Sequence, residues 1–369
     1  MCRIAVIGAG VVGASVAFRL AQRGADRVWL VDRSLPGTGT SSASFAWVNA
    51  NEKTPYDYFE LNYAGLKEHL RLREELPGGA PWLHPGGNIE WAEDEAKLEK
   101  LYSRIERLRS WGYAAEWRKA SWVHEALEPN IAFADPDTSV AFFPEEAWVD
   151  APRLASALTE LACQYGAETR FGIAVEEVEI RSGRVAAVHL RGGERLPVDA
   201  VVNVAGPEAN RVAALLGLPL PLKPSRGLLA RLKVDEPLLG RVVHTQQVNI
   251  RPDGPGRILA HHGSIDRELE NSPGTIGRLC LELLERARRV VPALKSARVE
   301  DARVGVRPMP EDGLPCVGAV PAVPGYYEAV THSGVTLGPL VGRLLAWEVL
   351  TGEVGAAIAP FRPERFARG

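Results

Sequence analysis

The chain has 369 residues, 46% of them hydrophobic and 24% charged, with a net charge of -3; this suits two ordinary globular domains and argues against nucleic acid or an anionic membrane as partner. No apolar run approaches the ~20 residues that span a bilayer, and a first strand from Arg3 leaves no room for a signal peptide, so a cytoplasmic protein is expected. Cys2, Cys163, Cys280 and Cys316 are widely spaced without a C-x-x-C pair, which speaks against a disulfide framework or a cysteine-bound metal.

Arg3 to Ile7 is a short apolar run of the kind a buried parallel strand shows. Gly8, Gly10 and Gly13 follow as G-x-G-x-x-G. Gly8 permits the tight turn, Gly10 lets a pyrophosphate approach the backbone, and Gly13 lets the next helix pack on the sheet. That helix carries Val12, Val16, Ala17, Leu20 and Ala21 on one apolar face and stops at Gly24. Amides at its N-terminus, from Val11 and Val12, face the phosphates. A second strand, Val28 to Val31, ends in Asp32, nineteen residues after Gly13, where a carboxylate accepts hydrogen bonds from a ribose. These features mark a dinucleotide site, and NAD and FAD both use them.

The loop from Arg33 to Trp47 is rich in glycine and hydroxyl residues and ends in Phe45, Ala46 and Trp47. Its amides and the hydroxyls of Thr40, Ser41 and Ser42 can reach a second face of a pyrophosphate; the alternative is a plain surface loop. A long wrapping loop suits FAD better than NAD. Tyr56, Tyr58, Phe59, Leu61, Tyr63 and Leu66 then predict an aromatic amphipathic helix stopped by Pro77-Gly78-Gly79. A strand over Asn88 to Ala92, a helix over Asp94 to Trp111 and a short strand over Ala141 to Asp150 follow. The aromatic side chains of this block read as core packing.

From Ala151 the alternation of helix and strand returns. A helix is expected over Pro152 to Tyr165, a strand over Ala167 to Phe171, and a hairpin over Val175 to Leu190 turning at Ser182-Gly183. A buried strand, Asp199 to Gly206, ends in Ala205-Gly206, where a cofactor can pass close to the backbone, and a helix follows over Asn210 to Leu216. Leu218 to Pro224 reads as a crossing between domains. Arg226 to Val234, Gln246 to Arg251 and Arg257 to His262 predict antiparallel strands, and Ser272 to Val291 a helix. His244, His261 and His262 lie here; neighbouring residues on a strand face opposite ways, so at most one of the last two looks into a pocket.

The final segment carries two constellations. Arg307, held by Pro308, precedes an acidic turn and the glycine-limited strand ending at Gly318. The His332-Ser333-Gly334 turn precedes a helix expected over Leu340 to Leu350, and places amides and a positive dipole end beside an electron-rich ring.

Gly8-Gly10-Gly13 with Asp32, the Thr40-Ser41-Ser42 loop, Asp150-Ala-Pro-Arg, Asn203-Val-Ala-Gly206, the run from Gly305 through Arg307-Pro and Asp312-Gly to Gly318, and Thr331-His-Ser-Gly334 span nearly the whole chain. Together they resemble the D-amino-acid oxidase, glycine oxidase and sarcosine oxidase family of FAD-dependent oxidoreductases. The resemblance implies a mixed α/β and α+β fold. A Rossmann-like FAD-binding domain would be assembled from discontinuous segments, 1–51, 151–220 and 301–369, beside an antiparallel-sheet substrate domain of 52–150 and 221–300. FAD would be non-covalent, because Cys316 does not stand where some members attach flavin. The implied cofactor contacts are Gly8, Gly10, Val11, Val12, Gly13, Asp32, Arg33, Thr40, Ser41, Ser42, Phe45, Ala46 and Trp47. They continue with Val175, Ala205, Gly206, Ser333, Gly334, Val335, Thr336 and Leu337.

Arg307 would bind the carboxylate of an amino-acid or amine substrate through two charge-assisted bonds, with His332 beside it; otherwise Arg307 is a structural arginine paired with Asp301 or Asp312. The implied reaction is hydride transfer from a CH–NH group to the flavin, giving an imine that hydrolyses. Oxygen or another acceptor would take the electrons. Val335 and Thr336 depart from the bulkier or basic residues of some members. The competing readings are an NAD-dependent dehydrogenase and a non-catalytic FAD-binding protein.

Overall fold

The apolar run at the start of the chain does form a central strand. In a computed structural model describing residues 2–76, 78–223 and 225–366, Arg3–Ile7 pairs in parallel with Arg27–Asp32 on one side and Ala200–Asn203 on the other. Pro77, expected in a helix stop, and Pro224, expected in the crossing, lie outside the described residues. The full sheet has six strands in the order Cys316–Ala319, Tyr326–Val330, Ala200–Asn203, Arg3–Ile7, Arg27–Asp32, Glu168–Phe171. Only its edge strand, Cys316–Ala319, runs antiparallel to its neighbour. Three separated stretches of chain therefore build one sheet.

The helix Val11–Gln22 is buried nearly all round rather than on one face, down to Ser15 and Arg19. The cause is that helices Ala151–Gln164 and Gly334–Thr351 both pack on it. The second approaches so closely that a Cβ on Gly342 would stand 2.5 Å from the Ser15 side chain.

The other large sheet has eight strands, in the order Arg298–Arg307, Ser225–Lys233, Arg257–His261, Asn249–Pro252, Val242–His244, Asn88–Trp91, Ser139–Phe143, Glu116–Lys119. All pairings are antiparallel except Val242–His244 with Asn88–Trp91, the join between its two halves. Arg298–Arg307 is an edge strand here, so the chain returns to the six-stranded sheet only after Arg307, later than the expected boundary at 301. Ala141 to Asp150 is not one strand. Pro144, which lacks an N–H for a ladder, separates Ser139–Phe143 from Ala147–Val149, and the latter joins a small sheet with Trp47–Val48 and Leu83–Pro85. The stretch expected as one helix from Ser272 to Val291 is the helix Ile276–Val290, preceded by an unforeseen helix, Gly263–Asn271. His262 caps that earlier helix, its ring accepting from the Ser264 N–H.

The C-terminal helix starts at Gly334, not Leu340, and runs through Pro339 to Thr351. A proline inside a helix frees the carbonyl four residues earlier, here that of Val335. The buried His69 takes it, Nε2 to oxygen 2.9 Å. Burial pushes His69 down to about 4, so its ring is neutral and Nε2–H is the donor. Among the described residues no single helix is long and apolar enough to cross a membrane.

Candidate functional site

Parallel strands leave a crevice at their C-terminal ends, and a cavity of about 580 Å³ occupies it. Its walls come from Ile7-Gly8 after the first strand, Asp32 at the end of the second, Val204 to Glu208 beyond Ala200–Asn203, and Ala329 to His332 with Gly334 and Val335 from Tyr326–Val330 onward. The glycine turn is shaped by what cannot be there. A Cβ on Gly13 would lie 1.8 Å from the Gly8 carbonyl oxygen, and one on Gly8, at φ +114°, would lie 2.4 Å from the Val204 oxygen. Asp32 fixes the turn from the side: Oδ2 accepts from the Ala9 N–H at 2.6 Å and Oδ1 from the Ser34 N–H at 2.8 Å. Ser41 Oγ accepts from the Val11 N–H at 3.2 Å, and Thr40 donates to the Val306 carbonyl at 2.8 Å. A glycine cradle closed to Cβ atoms, a helix N-terminus and an acidic residue on one cavity fit a dinucleotide.

Of the residues singled out from sequence, Gly8, Gly10, Val11, Val12, Asp32, Arg33, Thr40, Ser41, Val175, Ala205, Gly206, His332, Gly334 and Val335 line this cavity. Gly13 packs beneath it. Ser42 donates to the carbonyls of Thr38 and Gly39 and faces a neighbouring cavity instead. Ala46 and Leu337 are buried in the core, and Thr336 donates to the Trp47 carbonyl. Ser333 Oγ shares a 2.7 Å hydrogen bond with the Tyr58 hydroxyl.

Phe45 and Trp47 turn toward the eight-stranded sheet. The Trp47 ring lies 4.0 Å from that of His244, and Phe45 stands near both His244 and His261. Trp47 donates its indole N–H to Glu146 at 2.7 Å, and Tyr113 donates its hydroxyl to the same carboxyl at 2.8 Å. Burial pushes Glu146 up to about 8, against those two hydrogen bonds. It pushes His244 down to about 3, with help from Arg104 and His261.

Arg307 does not line the cavity. Its guanidinium lies on Gly227, bonds Asp266 at 2.5 Å, donates to the Arg226 carbonyl at 3.0 Å, and stands 3.2 Å from His261 Nε2, the nitrogen that faces Asp266 at 2.8 Å. Its counter-ion is thus Asp266, while Asp301 pairs with Arg303 and Asp312 with Arg365. His261 and His262 do face apart: His261 joins Asp266, and His262 bonds Ser264. His332 lines the cavity. Loss of water, followed by the charges of Lys53, Arg307 and His261, brings it down to about 4, so it is neutral at physiological pH. Asp266, Glu146, His69 and Lys53 went unread in the sequence, because no spacing links them to the residues they meet.

The family model described as FAD dependent oxidoreductase matches residues 3–347. Glycine oxidase of Geobacillus kaustophilus is 31% identical over 97% of this chain and 95% of its own length. The crystal structure of glycine oxidase from that organism superposes with a TM-score of 0.85 at 28% identity, covering 99% of this chain and 98% of the other. Iminodiacetate oxidase from Chelativorans sp. BNC1 superposes with a TM-score of 0.83 at 28% identity, covering 98% and 99%.

Proposed function

The chain belongs to the DAO family of FAD-dependent oxidoreductases, and on that premise we propose that it oxidises the C–N bond of a small amino acid or secondary amine bound between His332 and Arg307. FAD held in the cavity would supply the hydride acceptor for the carbon beside the amine, and the imine product would be hydrolysed by water. In this reading residues 1–51, 151–220 and the part of 301–369 after Arg307 hold the cofactor, without a covalent bond. Residues 52–150 and 221–307 face the substrate.

The observation that carries the reading is that His332 and Gly334 line the same cavity as the glycine turn, with the Arg307 charge acting on His332. The helix N-terminus at Gly334, on the cavity wall, would offer amides and a positive dipole end to the cofactor. Neutral His332 accepts a hydrogen bond from the amine, and Arg307, oriented by Asp266 and His261, binds the carboxylate. Positioning then supplies most of the rate enhancement.

Anaerobic mixing of the flavin-loaded protein with glycine, sarcosine, D-proline and other D-amino acids tests this. Bleaching of the flavin absorbance by at least one of these amines is expected. A flavin that stays oxidised with all of them would favour a protein that binds FAD without this chemistry.

A further inference from the structure

One cation whose charge acts on His332 has no counter-ion among the described residues. Lys53 lies between the strand Trp47–Val48 and the helix Tyr56–Glu75. Its ammonium stands 5.9 Å from the centre of the Tyr58 ring, and the Tyr58 hydroxyl bonds Ser333, next to His332. Lys53 and Arg307 both act electrostatically on His332. Yet the Lys53 side chain forms no hydrogen bond or ion pair with any described residue.

Its acidic neighbours are committed elsewhere. Glu52 pairs with Arg104 at 2.8 Å. Glu146 is fully buried, receives the Trp47 and Tyr113 donors, and is pushed up to about 8, so it is protonated at neutral pH. Burial lowers the pKa of Lys53 as well. An ammonium with little water and no fixed partner is costly to fold around, and a ring at 5.9 Å compensates only weakly. An arriving anion removes that cost.

We propose that Lys53 recognises a second anionic group on the substrate, so that the preferred substrate is an amine carrying two carboxylates, one held by Arg307 and the other by Lys53. This rests on the amine-oxidation reading above, in which Arg307 takes the first carboxylate. It makes Lys53 a specificity-determining residue, separate from the Asp266-His261-Arg307 cluster.

Glutarate and butyrate, which cannot be oxidised at a C–N bond, separate the two claims. In the FAD-loaded enzyme, titration followed by flavin absorbance is expected to show glutarate binding at least tenfold more tightly than butyrate. Lys53→Met is expected to reduce that ratio at least tenfold, and Lys53→Arg to restore part of it. Lys53→Gln, which keeps a polar chain without charge, should behave as Lys53→Met and serves if the latter does not load FAD. No preference for glutarate in the native enzyme, or an equal loss of both ligands in the variants, overturns the proposal. Iminodiacetate and sarcosine test the reaction separately. If neither bleaches the flavin while the glutarate preference and its loss in Lys53→Met persist, the amine-oxidation reading fails and the second anion subsite stands.

Discussion

The glycine turn and the Arg307 cluster are built from different material. The turn works through backbone: amides, a helix N-terminus and the absence of Cβ atoms at Gly8 and Gly13. The cluster works through side chains carried by separate strands and helices, with Arg307 on Arg298–Arg307, His261 on Arg257–His261 and Asp266 on Gly263–Asn271. Backbone geometry has few permissible substitutes, whereas a side-chain cluster can lose a member and leave the others standing. The first region should therefore fail as a whole and the second by degrees.

The harshest test is Gly13→Ala. Its Cβ would meet the Gly8 carbonyl oxygen at 1.8 Å, which only a backbone shift relieves, at a cost of about 3 kcal/mol or more. Purified variant is expected to be colourless, with FAD affinity lowered more than about 100-fold by this arithmetic. Retention of FAD at native affinity would falsify the claim that the turn is sterically closed.

Arg307→Ala should do the reverse, keeping FAD and raising the apparent KM for carboxylate substrates by about 10- to 100-fold, the worth of charge-assisted hydrogen bonds. Unchanged steady-state kinetics would remove Arg307 from substrate binding. A joint loss of FAD would erase the contrast between the two regions.

His69→Leu probes the support under the helix Gly334–Thr351, which packs on the helix that follows the glycine turn. It leaves the Val335 carbonyl without its donor, an expected cost of about 1–3 kcal/mol in denaturant unfolding at pH 7. It also changes the acid limb. His69 is held at about 4 when folded, whereas an unfolded histidine titrates near 6.5. As pH falls from about 6.5 to 4, the unfolded chain takes up the proton first and stability declines, by about 3 kcal/mol for this residue. The variant should lack that share of the decline, while His244 and His262, brought down to about 3 and about 4, keep theirs. An unaltered acid limb would mean that His69 is not buried neutral.

The smallest effect belongs to Ser41→Ala. Its hydroxyl supports the Val11 amide at 3.2 Å, so a loss of about 0.5–1.5 kcal/mol in FAD binding is expected, read by fluorescence titration of the apoprotein. An effect as large as that of Gly13→Ala would show the turn to depend on side chains after all.

By itself the sequence determined the first strand, glycine turn, helix and second strand through Asp32, because these depend on local periodicity and on which residues lack a Cβ. It also determined, through motifs spread over the chain, the family and hence FAD. The C-terminal helix was misplaced because Pro339 reads locally as a boundary. Only the packed structure brings His69 to the carbonyl that this proline frees. Arg307 stood out in the sequence, but its counter-ion did not. Asp266 lies in a helix that the pattern left unread, while Asp301 and Asp312 are nearer along the chain and pair elsewhere. Lys53 shows the same division. A lysine before an aromatic helix is unremarkable as a residue type, and what sets it apart is that folding commits both of its acidic neighbours to other partners. Turns and periods are local properties of the chain, whereas the partner of a charge is decided by which strands and helices come to lie side by side.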